Sequence, residues 1–143
     1  LLRAAGRDGG DAGGRMSGAT VFVVDDDEAV ARSVAKIVRV LGYEGRTFRS
    51  AESFLAQYEG GEGCLLVDVR MPGMSGFDLV EELARRRVSL PVIIMSGHFD
   101  AAVMPRPETP LLGVLEKPFS IGALRQLLAR WHASSSAPAG RST

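Results

Sequence analysis

The sequence has little that would fix a location or a binding class through composition alone. It contains one cysteine, Cys64, which excludes an internal disulfide and fits a reducing compartment. No apolar run approaches the roughly 20 residues that a membrane-spanning helix needs, and no secretory signal core is present. A cytoplasmic domain without membrane contact is the reading. Charge of one sign is lacking as well: Lys+Arg and Asp+Glu both count 17, so no electrostatic bias points to nucleic acid or anionic lipid. A chain of 143 residues suits one domain and can bury about two-thirds of its unfolded surface.

Apolar periodicity is missing from both ends. Residues 1–18 are glycine-rich and read as a flexible leader or linker, with Met16 just ahead of the first strand-like run. Residues 133–143 are rich in Ser and Ala, low in complexity, and read as a flexible tail. Between them, 19–132 alternates strand-like runs with helical periods. Thr20–Val24 is a β-branched and aromatic run suited to a strand buried on both faces. Asp27 caps a helix carrying Val30, Val34, Ile37, Val38 and Leu41 at helical spacing, ended by Gly42. Tyr43–Phe48 is a weaker strand, and Ser50 caps a short helix with Phe54, Leu55 and Tyr58 on one side. Cys64–Val67 is a third strand. Ser75 and Asp78 form a capping box that opens a helix with Phe77, Val80 and Leu83 inward. A fourth strand follows Pro91 and ends at Ser96-Gly97; a fifth spans Leu111–Leu115. Ser120 begins a last helix with Ile121, Leu124, Leu127, Leu128 and Trp131 on its apolar side, Trp131 as its anchor, and Arg125, Gln126 and Arg130 exposed. The alternation predicts a flavodoxin-like, doubly wound five-stranded parallel sheet of order 2-1-3-4-5, helices on both faces.

In such a sheet, ligand sites form outside the carboxyl ends of the strands. Three segments place polar groups there: Val-Phe-Val-Val-Asp25-Asp26-Asp27, Leu-Leu-Val-Asp68-Val-Arg-Met-Pro, and Leu-Glu-Lys117-Pro118-Phe. Converging carboxylates without soft ligands suit Mg²⁺. A carboxylate is also a competent nucleophile toward phosphorus. Phosphoryl transfer then needs a cation on the phosphoryl oxygens, which Lys117 supplies, while Ser96 can donate a hydrogen bond to them. Taken alone, Asp25–Asp27 also reads as a helix-capping cluster favoured by the helix dipole. Cys64 reads as a small core residue.

The motifs V-D-D-D, D-V-R-M-P-G-M-S-G, I-I-M-S-G and E-K-P-F, in that order, resemble the receiver domain of bacterial two-component response regulators over 19–132. The resemblance implies that Asp68 accepts a phosphoryl group from a histidine kinase or histidine phosphotransfer protein. It implies an acidic pair at Asp25 and Asp26, with Asp26, Asp68 and the main-chain carbonyl of Arg70 ligating Mg²⁺. Ser96 then corresponds to the switch hydroxyl, Lys117 to the phosphate-binding lysine, and Lys117-Pro118 to a cis bond. Arg70 and His98, close to the phosphoryl site, are candidates for tuning hydrolysis. Such a protein catalyses only its own phosphorylation and dephosphorylation, and signals to a downstream protein that the sequence does not identify. No direct nucleic-acid binding by this segment is expected.

One region departs from the family pattern. Between Ser96 and Lys117 the chain reads His98-Phe-Asp-Ala-Ala-Val-Met-Pro-Arg-Pro-Glu-Thr-Pro110. Its prolines remove amide donors and push their predecessors out of the helical region, so a fourth helix is expected to be short or disrupted. Val114 stands where the family's aromatic switch residue would be, which predicts that phosphorylation acts by ordering the proline-rich segment instead. Two other classes are weighed. Haloacid-dehalogenase phosphatases and Toprim nucleases use a D-x-D pair, whereas Val69-Arg70 follows Asp68. A phosphorylation-independent scaffold, or the C-terminal receiver of a hybrid histidine kinase, would keep the same fold.

Overall fold

A computed structural model describes residues 19–97 and 111–136. Five strands form one parallel sheet: β1 Thr20–Val24, β2 Glu44–Phe48, β3 Cys64–Asp68, β4 Val92–Ser96 and β5 Gly113–Glu116, in spatial order β2-β1-β3-β4-β5. Among the described residues the helices are α1 Glu28–Val40, α2 Ala51–Gln57, α3 Gly76–Arg85 and α4 Ile121–Ser136. The order reverses between β1 and β3, which are paired from Val21 with Cys64 to Val24 with Val67. The loops leaving these two strands therefore diverge, and open a crevice above their carboxyl ends.

Strand side chains alternate between two cores. Val21, Val23, Leu66, Ile93, Met95 and Leu115 meet α1 and α4 on one face. Phe22, Val24, Leu65, Val67, Val92 and Ile94 meet α2 and α3 on the other. Because both faces are covered, β3 and β4 are apolar up to their last residues, and β1 is apolar from Val21 onward. The helix ends follow the local chemistry. Asp27 caps α1 by accepting from the amides of Ala29 and Val30. Gly42, at φ 102°, closes its other end, with its N–H donating to Arg39 and that of Tyr43 donating to Val38. Ser50 caps α2, and Ser75 and Asp78 form the full reciprocal box at α3.

Several details differ from the sequence expectation. The inward residues of α3 are Leu79, Val80 and Leu83; Phe77 is only partly buried. With Gly76 as the first helical residue, the 3.6-residue period turns Leu79 onto the sheet and leaves Phe77 on the flank. Ile121 is 51% exposed. It stands in a solvent-facing run with Pro118 and Ser120, one turn before Leu124, where burial begins. The helix α4 continues to Ser136, past the boundary expected at 132. Strand β3 includes Asp68, while β5 begins at Gly113 rather than Leu111. The expected leader 1–18, the segment 98–110 with its disrupted helix, and the last residues of the tail lie outside the described residues.

Candidate functional site

The buried polar side chains among the described residues are three: Asp25, Asp68 and Ser96. All three stand at the carboxyl ends of central strands. Burying such groups is costly unless they are paired, so their concentration in one place marks that place as built for polar chemistry. Backbone ties hold the strand ends level. The Asp25 amide donates to Phe48 O (3.1 Å), the Val69 amide to Met95 O (2.9 Å), and the Lys117 amide to Ser96 O (2.7 Å).

Lys117 closes the site from β5. Its Nζ lies 2.9 Å from Asp68 Oδ1 and 3.1 Å from Asp25 Oδ2. The other Asp25 oxygen, Oδ1, accepts from the Asp27 amide at 2.9 Å, so Asp25 is held from both sides. The Lys117-Pro118 bond is cis. Burial pushes the Asp68 carboxyl above its ordinary range. Lys117 opposes that rise by hydrogen bonding and charge, and Asp25 and Asp26 reinforce it. Burial alone would lower the Lys117 ammonium, but its bonds to Asp68 and Asp25 raise it instead. The two directions have different leading causes: burial dominates at Asp68, whereas at Lys117 the two carboxylate partners outweigh burial.

Asp25, Asp26 and Asp68 each bring a carboxylate oxygen within 4.8 Å of the others, with Asp26 exposed at the mouth. Opposite oxygens around Mg²⁺ stand about 4.2 Å apart. The three donors are close enough to gather on one small hard cation after a small side-chain adjustment, with water completing its shell. All are oxygen ligands, and their negative charge exceeds what Lys117 neutralises. Arg70 follows in the loop after β3 with its side chain exposed. Val114 lies in β5 paired with Ile94, partly buried against the α2–α3 core. His98 lies outside the described residues.

Two residues outside the polar motifs also shape the site. A Cβ on Gly76 would lie 2.5 Å from Asp68 O, so only glycine lets α3 start directly behind β3. Its place in the S-G pair opening a helix was the available signal. Glu52 reaches from α2 to accept from the Met74 amide at 3.0 Å, a contact with no local sequence signature.

The family model described as response regulator receiver domain matches residues 21–129. The response regulator protein TmoT of Ectopseudomonas mendocina is 36% identical over 114 residues, covering 76% of this chain and 52% of that protein. The transcriptional regulatory protein FixJ of Azorhizobium caulinodans is 41% identical over 118 residues, covering 77% and 55%. The chain thus spans about half the length of these curated relatives. The crystal structure of FixJ-N superposes with a TM-score of 0.72 at 32% identity, covering 87% of this chain and 99% of that one.

Proposed function

The chain belongs to the response regulator receiver domain family, and on that premise we propose that it accepts a phosphoryl group on Asp68 in a Mg²⁺-dependent step and thereby switches the binding of a downstream partner. The observation that carries this reading is the convergence of Asp25, Asp26 and Asp68 within 4.8 Å beside an ammonium 2.9 Å from Asp68. The donor class is a phosphohistidine on a histidine kinase or histidine phosphotransfer protein. An Asp68 carboxylate oxygen attacks phosphorus, the new O–P bond forming as the P–N bond breaks, and the imidazole leaves with the electron pair and takes up a proton. Lys117 neutralises charge on the phosphoryl oxygens, and the Ser96 hydroxyl donates to one of them. Asp25, Asp26, Asp68 and the Arg70 carbonyl would hold Mg²⁺, which supplies further neutralisation of the attacking and phosphoryl oxygens.

Such a group turns over no external substrate; it makes and breaks its own acyl phosphate. The relatives named response regulators and transcriptional regulators favour a regulator's receiver over the receiver of a hybrid kinase. They support a transcriptional output, which on this reading the segment controls through a partner or a further segment rather than by contacting nucleic acid itself. No described helix is long and apolar enough to cross a membrane, which accords with a cytoplasmic place for the reaction. The test is intact mass after incubation with acetyl phosphate and Mg²⁺. The expected adduct is about 80 Da, absent in Asp68→Asn and absent without Mg²⁺. A wild-type chain that gains no mass and binds no beryllofluoride would leave a phosphorylation-independent scaffold instead.

A further inference from the structure

Glu52 stands outside the acidic cluster yet holds the loop that serves it. The loop between β3 and α3 is fastened at its base, where Val69 N donates to Met95 O and Gly76 N donates to Val69 O at 3.1 Å. Met71 anchors it in the core, and the Ser75–Asp78 box fixes its exit. The stretch in between is exposed at Pro72 and Gly73, and Pro72 has no N–H to offer. There the tie comes from Glu52, in the first turn of α2, whose Oε2 accepts from Met74 N at 3.0 Å. The contact also explains Gly73. Its φ is +76°, a turn that favours glycine, and a Cβ there would meet Glu52 Oε2 at 2.9 Å, so a larger residue would push the carboxylate off its place.

We propose that Glu52 is a positioning residue for the metal: by pinning Gly73 and Met74 it sets the loop carrying the Arg70 carbonyl, and so tightens Mg²⁺ at the Asp25–Asp26–Asp68 cluster. The inference rests on the reading of that cluster as a Mg²⁺ site. Groups that orient metal ligands from behind characteristically change affinity without touching the ion.

The experiment is calorimetric Mg²⁺ titration of the full chain as wild type, Glu52→Ala and Glu52→Gln, with amide exchange at Met74 read in parallel. In Glu52→Ala the Mg²⁺ dissociation constant should rise about tenfold, and the Met74 amide should exchange faster. Glu52→Gln keeps an acceptor and should stay within about twofold of wild type. Loss of a nearby negative charge would weaken both variants alike, so the glutamine rescue separates the hydrogen bond from the field. Unchanged affinity in Glu52→Ala, or equal weakening in both, overturns the proposal. A wild-type chain that binds no Mg²⁺ brings down the metal reading itself, before any variant is compared.

Discussion

Lys117 is the residue on which the charge balance of the site turns, since it serves Asp25 and Asp68 together. Replacing it with Ala leaves two buried carboxylates facing each other with no cation. We expect a loss of about 1–3 kcal/mol in urea unfolding at neutral pH and an acetyl phosphate reaction slower by about 10²-fold. Asp68 carries the opposite sign. Its folded-state pKa lies above the ordinary carboxyl value of 3.8. The stability it contributes is therefore complete below that pH and declines as pH rises through the folded value. Without Mg²⁺, Asp68→Asn should be more stable than wild type in urea unfolding at pH 7. The gap should close as pH falls toward 4. A variant less stable than wild type at neutral pH would contradict this balance of burial and crowding. Asp25, Asp68 and Ser96 were legible in the sequence because each follows an apolar run directly, and Lys117 because it stands one residue beyond one, ahead of Pro118. Glu52 was not, because its partner is a main-chain amide in another crossover.

The ends of α1 and α3 show how local chemistry specifies an element and where it falls short. Both finish in the same doubly bonded turn, which needs a left-handed residue after the cap. In α1 that residue is Gly42; in α3 it is Arg87, at φ 61°, with its N–H donating to Ala84 O and that of Val88 to Leu83 O. A side chain in this region carries strain. Arg87→Gly should raise stability by about 0.5–1 kcal/mol in denaturant unfolding, without effect on phosphorylation. The other end of α3 has the reverse requirement. Gly76→Ala places a methyl 2.5 Å from Asp68 O and should cost about 1–3 kcal/mol as β3 or α3 yields. Caps and turns of this kind were readable residue by residue. The inward face of α3 was misjudged because Phe77 and Leu79 are both apolar, and only the position of the helix start decides which one points at the sheet. For the same reason the end of α4 was placed early: Ala-Ser-Ser-Ser lacks an apolar period, and α4 runs through it nonetheless.

At the scale of the whole molecule, one sheet is shared by two cores that cannot part without breaking it. Leu124 fills the α1–α4 side and Leu79 the α2–α3 side, both fully buried. Leu124→Ala and Leu79→Ala should each cost about 2–5 kcal/mol and lower one common transition, followed by circular dichroism and Trp131 fluorescence together. Separate transitions for the two variants would mean that the faces unfold independently. The sheet order was predictable because alternating strands and helices with right-handed crossovers leave few arrangements. Parallel strands also give the molecule two unlike poles. Every strand delivers its last residue to the pole that holds Asp25, Asp68 and Lys117. The described chain enters at Ala19, ahead of β1, and leaves along α4, whose Trp131 stacks on Tyr43 just before β2 begins. Entry and exit thus share the far pole. A bulky fluorescent protein joined directly ahead of Ala19 or directly after Ser136 would stand at the pole opposite Asp68, leaving that carboxylate open to the donor proposed for it.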